Sequence, residues 1–117
     1  MWSFLYSLFF KSDDDLFGLV EDDMDEIKTS LVTLDSLFFE PLTRDTMNEI
    51  DIVCNDIAEK IISIQQTTLR IKNQPYKDEN DRNVKNSKLL EISLQLQKIS
   101  DSYLTKQANY LCKTSRF

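Results

Sequence analysis

The chain has 117 residues with one glycine, two prolines and no histidine, and its formal net charge is −6. So little glycine and proline disfavours an all-β fold with many tight turns, and one domain of a few long helices is expected. The chain has no histidine, no glycine-rich phosphate loop and no CxxC pair. These absences argue against an enzyme, a cofactor, a metal site or a small-molecule substrate. The acidic net charge argues against a nucleic-acid partner.

Residues 1–10 form a concentrated apolar run, MWSFLYSLFF, and the chain continues to residue 21 as an acidic linker. The run lacks the basic start and small-residue end of a signal peptide, and it is too short to span a bilayer. It either packs back on the rest of the protein or a second copy, or it is a linear anchor for a partner groove or a membrane surface. Because exposed aromatics at this density are a liability, we expect the anchor residues to be covered. They are Trp2, Phe4, Leu8 and Phe9.

An apolar rhythm of three and four residues predicts a first helix from about Asp22 to Phe39. Gly18 weakens the turn before it, and Pro41 ends it because the residue before a proline is disfavoured in helical geometry. The expected buried seam is Phe17, Val20, Met24, Ile27, Leu31, Leu34 and Phe38.

The central helix has the most continuous seam and is expected over residues 45–72, with Asp45 or Thr46 as its N-cap. Cys54 lies on this seam, where a free thiol behaves as a small hydrophobe, and no disulfide with Cys112 is expected. The seam consists of Met47, Ile50, Cys54, Ile57, Ile61, Ile64, Thr68 and Ile71.

A polar loop around Pro75 separates the central helix from a third helix, which is expected over residues 83–113. This helix carries two apolar lines. The inner line is Leu89, Ile92, Leu96, Ile99, Tyr103, Gln107 and Tyr110, and the outer line is Leu90, Leu94, Leu104, Ala108 and Leu111.

Three long helices with short connections predict an all-α, antiparallel up-down-up three-helix bundle over residues 22–114. A three-helix core needs one seam per helix, so the extra apolar residues of the central and third helices need another explanation. They either flank one shallow groove for an added amphipathic helix, or thicken the core or stand singly exposed. The groove residues would be Ile52, Ile62, Leu69, Leu90, Leu94, Leu104 and Leu111.

Charge is distributed unevenly along the chain. Residues 1–60 include 4 basic and 15 acidic residues, whereas residues 61–117 include 10 basic and 5 acidic residues. Either solvated helix faces attract one another across the bundle, or one end is a charged docking surface.

Several strings resemble the N-terminal regulatory (Habc) domain of syntaxins, and most nearly the branch that works between endosomes and the trans-Golgi network. The third helix reads LQKISDSY over residues 96–103, followed by Gln107 and then Tyr110-Leu111. The strings MDEI at residues 24–27 and PLT at residues 41–43 are also similar to that branch. The resemblance spans residue 22 to about residue 116.

This resemblance implies the regulatory head of a target-membrane SNARE acting in vesicle fusion. Its expected partners are a SNARE helix, its own or a partner's, and an SM-family (Sec1-like) protein, on which an N-terminal peptide docks in some syntaxins. The parent protein would lie at the cytoplasmic face of Golgi or endosomal membranes. It would be held there by a C-terminal anchor that this chain lacks, so this fragment is expected to be soluble in the cytosol.

A second interpretation is a helical subunit of a vesicle-tethering or cytoskeletal scaffold, since such bundles have the same seams. A downstream SNARE motif and membrane span in the parent gene would favour the first interpretation. An enzyme would instead require a concave pocket with converging ionisable groups.

Overall fold

A computed structural model describes residues 13–114. Within that range the chain forms three helices and no strand: α1 is Asp13–Phe39, α2 is Arg44–Asn73 and α3 is Glu79–Thr114. The predicted all-α class with three helices is confirmed. None of these helices is long and apolar enough to cross a membrane.

The three helices share one hydrophobic core, to which α1 and α2 contribute most of the fully buried side chains. The predicted seams supply most of these residues. In α3 the buried apolar residues are Ile92 and Ile99, while Leu89, Leu96, Tyr103 and Tyr110 pack against the core in part. The buried apolar residues of α1 and α2 are Leu16, Phe17, Val20, Met24, Ile27, Leu31, Leu34, Leu37, Ile50, Ile57, Ile64 and Ile71.

Helix α1 extends through the region expected to be a linker, so its predicted start at Asp22 is wrong. Leu16 and Val20 are fully buried there and Phe17 nearly so. Burying each such side chain contributes about 1.5–3 kcal/mol, which outweighs the roughly 1 kcal/mol that Gly18 costs in a helix. The three aspartates at residues 13–15 add favourable charge at the positive end of the helix dipole.

Thr43 caps helix α2, rather than Asp45 or Thr46 as the sequence suggested. Its backbone is extended and its hydroxyl accepts a hydrogen bond from the backbone N–H of Thr46, at 3.2 Å. This is the ordinary N-cap geometry, in which a side chain oxygen satisfies a donor of the first turn. Asp45 instead lies in the first turn, where its charge is favourable.

Helix α3 begins at Glu79, four residues before the predicted start, because two aspartates organise its first turn. The Asp78 carboxylate accepts a hydrogen bond from the N–H of Asp81 at 2.7 Å. The Asp81 carboxylate in turn accepts one from the N–H of Lys77 at 3.0 Å. These two bonds resemble a capping box, except that Asp81 accepts from the N–H of Lys77 rather than from that of Asp78. They shorten the loop between α2 and α3.

Contacts between α1 and α2 follow a regular order along the chain. The Ser63 hydroxyl donates to Asp23 at 3.1 Å, and the Ser30 hydroxyl lies 3.4 Å from a carboxylate oxygen of Asp56. Residue numbers therefore fall along α2 as they rise along α1.

Contacts of α3 with α1 run in the same order along both helices. Lys85 pairs with Asp13 near one end, and Lys106 pairs with Asp35 near the other. Contacts of α3 with α2 run in the opposite order: the Tyr103 hydroxyl lies 3.4 Å from the carbonyl oxygen of Cys54, whereas Lys85 contacts the end of α2.

Candidate docking surface

A surface groove of about 430 Å³ lies between α2 and α3, at the end of the bundle where these two helices are joined. Leu69 of α2 and Leu90 of α3 line it together, so the structure brings together two of the residues predicted to form a groove. Polar side chains form much of the remaining surface, which makes the groove amphipathic. The other lining residues are Gln65, Thr68, Lys72, Tyr76, Asn86, Leu89 and Ser93.

Two apolar lines continue from this groove along the helices. Because an α-helix turns about 100° per residue, residues seven apart lie on nearly one line along its surface. Ile62 precedes Leu69 by seven residues on α2. On α3, Leu104 and Leu111 follow Leu90 at multiples of seven residues. Both lines therefore run along the side where α2 and α3 meet.

Every predicted groove residue is exposed, with between 52% and 68% of its surface accessible. These residues therefore do not thicken the core, whereas single exposure, the other alternative for them, is compatible with these values. Ile52 lies one turn before Asp56, which faces α1, so it is on a different side of α2 from Leu69. Leu94 lies about 40° around α3 from Leu90, farther from α2.

Lys85 connects the ends of all three helices beside the groove. Only 2% of the surface of Lys85 is accessible to solvent, and its ammonium group donates a hydrogen bond to the carbonyl oxygen of Gln74 at 2.8 Å. The same nitrogen lies 3.5 Å from the Asp13 carboxylate and 4.9 Å from the centre of the Tyr76 ring. A nearly buried ammonium needs such partners, because desolvation of an unpaired charge is unfavourable.

Cys54 and Tyr103 face each other between α2 and α3. Burial raises the pKa of the Cys54 thiol; the charge of Asp51 adds to this effect, and the hydrogen bond from Tyr103 opposes it. Burial likewise raises the pKa of the Tyr103 hydroxyl. Cys54 is not part of a disulfide, and its raised pKa makes it a poor nucleophile at neutral pH.

The far end of the bundle is closed by an aromatic contact. The rings of Phe38 in α1 and Tyr110 in α3 stack with 5.7 Å between their centroids. Along the α1–α2 side, the Lys60 ammonium lies 2.7 Å from Asp56 and 3.2 Å from Glu26. These contacts fix the helices relative to one another and leave the outer lines of α2 and α3 exposed.

Sequence reasoning missed two residues beside the groove, Lys85 and Tyr76. A signal for Lys85 was present, because it precedes Ile92 and Ile99 on the inner line of α3 at the same interval of seven. A charge at a seam position indicates a buried ion pair or a helix end. For Tyr76 the loop sequence carries no comparable signal.

The anchor residues Trp2, Phe4, Leu8 and Phe9 lie outside the described residues. Within residues 13–114, no three side chains of histidine, cysteine, aspartate or glutamate are grouped to hold a metal ion.

Comparison of the chain with protein-family models, with curated proteins and with solved structures finds no match. The function is therefore argued from the residues and their geometry.

Proposed function

We propose that this chain is the N-terminal regulatory (Habc) head of a syntaxin-like target-membrane SNARE, with an antiparallel up-down-up arrangement of its three helices. The order of contacts supports this topology. The residue numbers of contacting residues rise along one helix and fall along the other for α1 with α2 and for α2 with α3. For α1 with α3 they rise along both helices. Neighbouring helices in an up-down-up bundle have this relationship.

The observation that carries the proposal is the exposed apolar line of α3 beside α2. On α3, Leu90 and Leu104 have 63% and 57% of their surface accessible. On α2, Leu69 in the groove and Ile62 on the line that continues from it have 58% and 52%. An amphipathic helix binds such a surface by anchors spaced one or two turns apart along its apolar face. In a syntaxin-like protein the guest is a SNARE helix, its own or a partner's. Capture of its own helix would hold it away from fusion partners until release.

The remaining features of the proposal come from the sequence resemblance. An SM-family protein is the second proposed partner, with the N-terminal run around Trp2 and Phe9 as its anchor. The parent protein is placed at the cytoplasmic face of Golgi or endosomal membranes.

Binding of a SNARE segment in trans tests the proposal. The reading frame beyond Phe117 is determined first, and its amphipathic heptad segment is prepared as a peptide. We expect this peptide to bind the chain, and the double substitution Leu90→Gln and Leu104→Gln to weaken binding severalfold without loss of helicity. Both side chains are exposed and glutamine is a good helix former, so the bundle is expected to remain folded.

Val32→Gln provides the matched control, because Val32 is 66% exposed but lies on α1. It should leave binding unchanged. A reading frame without a heptad segment, or equal binding by the α3 variant and the original chain, would contradict the proposal and favour a tethering or scaffold subunit.

A further inference from the structure

Helix α1 begins next to the groove between α2 and α3. The Asp13 carboxylate lies 3.5 Å from the Lys85 ammonium, and that ammonium lies 4.9 Å from the Tyr76 ring, which lines the groove. Asp13, the first described residue, therefore lies at the same end of the bundle as the groove. The residues that precede Asp13 are thus joined to the chain beside the groove.

The chemistry of residues 1–10 suits this surface. Their sequence, MWSFLYSLFF, is uncharged and consists of large apolar side chains apart from two serines. Exposed apolar patches of this size are uncommon on soluble monomers. The groove offers Leu69, Leu89 and Leu90 together with the face of Tyr76.

Distance allows the contact without strain. The groove extends from Asn86 to Ser93 on α3, which is about 10 Å along a helix axis. Twelve extended residues span at most about 40 Å, so even a partly coiled segment reaches the whole groove. A short tether also gives a high effective concentration, in the millimolar range, which favours this segment over the same segment of a second molecule.

A polar atom at the start of α1 provides a further observation. Oδ1 of Asp13 is buried and has no hydrogen-bond donor among the described residues, while Oδ2 faces Lys85. Buried carboxylate oxygens are nearly always hydrogen-bonded. The Asp13 carboxylate can therefore accept one further hydrogen bond at the end of the bundle where the groove lies.

From these observations we propose that residues 1–12 of this chain dock into the α2–α3 groove beside Tyr76 and cover Leu69 and Leu90. The docking is intramolecular, and it does not depend on the proposed function. It also has a consequence for any guest helix, because the guest would have to displace the N-terminal segment from this end of the groove.

The environment of Trp2 tests the proposal directly, because Trp2 is the only tryptophan in the chain. We expect its fluorescence in the full-length chain to be blue-shifted, and severalfold less accessible to acrylamide, relative to a synthetic peptide of residues 1–12. The double substitution Leu69→Gln and Leu90→Gln should move both values toward those of the peptide. The two leucines are 58% and 63% exposed, so the bundle should remain helical. If it does not, Tyr76→Ala at the groove's edge replaces the double variant.

Val32→Gln on α1 is the control and should leave Trp2 fluorescence unchanged. Four results would overturn the proposal. The first is Trp2 emission in the full-length chain that equals that of the peptide, and the second is Trp2 emission in the Leu69→Gln, Leu90→Gln variant that equals that of the original chain. The third is a blue shift that grows with protein concentration, and the fourth is a blue shift that appears only with phosphatidylserine-containing vesicles. The third result would indicate a second copy, and the fourth would indicate a membrane surface.

Discussion

Lys85 of α3 and Asp13 of α1 form an ion pair at one end of the bundle, with 3.5 Å between the ammonium nitrogen and the nearer carboxylate oxygen. The side chain of Lys85 is 2% exposed and that of Asp13 is 24% exposed. Because the same ammonium also donates to the carbonyl of Gln74, one side chain joins α1, α3 and the end of α2. Helix α3 has few fully buried residues, so this contact is a substantial part of its attachment.

Replacing Lys85 by methionine should destabilise the protein by about 1–3 kcal/mol. The substitution keeps the length and apolar stem of the side chain, but it removes the donor to Gln74 and leaves the Asp13 carboxylate without its cation. Urea unfolding followed by circular dichroism would measure the loss. Lys88→Met is the control on the same helix, because Lys88 is exposed and contacts the Phe17 ring at 5.1 Å. Its loss should stay below about 1 kcal/mol, and an equal loss at both positions would contradict this account.

The threonine cap of α2 is a second contribution that can be measured. Thr43→Ala should lower the free energy of unfolding by about 1 kcal/mol, within a range of roughly 0.5–2 kcal/mol, because the N–H of Thr46 loses its acceptor. Asp45→Ala should cost less, since the favourable effect of Asp45 is that of a negative charge at the positive end of the helix dipole. The opposite order of the two losses would show that Asp45 acts as the cap.

Three neighbouring isoleucines of α2 differ in burial and should differ in stability when truncated. Ile57 is fully buried, Ile61 is half-buried and Ile62 is 52% exposed. Ile57→Ala should cost about 2–5 kcal/mol, because it removes buried methyl groups and leaves a cavity. Ile61→Ala should cost less, and Ile62→Ala less than about 0.5 kcal/mol. Thermal or urea unfolding of the three variants would test this order. A large loss at Ile62 would mean that another part of the protein covers it.

The sequence was informative about the helices because their apolar periodicity is regular. Every predicted seam residue from Phe17 to Leu34 in α1 is buried. In α2 the seam residues seven apart, from Ile50 to Ile71, are buried, whereas the others between them are only half-buried. Helix starts were less predictable. Thr43, Asp78 and Asp81 act through local hydrogen bonds, and many sequences with aspartate or threonine near a loop have several residues that could cap equally well.

The candidate surface was only partly predictable for a geometric reason. Apolar residues outside the seams identified Leu69 and Leu90, but spacing on one helix does not fix how the next helix faces it. The side of α2 that carries Ile52 follows from the contact between Asp56 and α1, which no periodicity reveals. Tyr76 and Lys85 are brought together by the loop between α2 and α3, whose conformation depends on its caps.

Alkaline pH should destabilise the protein, because the ionisable groups with shifted pKa values among the described residues all have raised pKa values. Burial raises the pKa of Cys54 above its ordinary 9.0, and burial raises those of Tyr103 and Tyr110 above 10.0. The hydrogen bond to Asp56 raises that of Lys60 above 10.5. The folded protein therefore holds these protons more tightly than the unfolded chain.

The free energy of unfolding should be insensitive to these four groups below about pH 8 and should fall as the pH rises through 9 and 10. The loss starts where the unfolded Cys54 thiol deprotonates and continues until the folded groups deprotonate. Urea unfolding at a series of pH values would measure this slope. Cys54→Ala removes the group with the lowest ordinary pKa, so the decline in this variant should begin closer to pH 10, where unfolded tyrosines ionise. A stability that stays constant or rises between about pH 8 and pH 11 would show that these groups gain no proton affinity on folding.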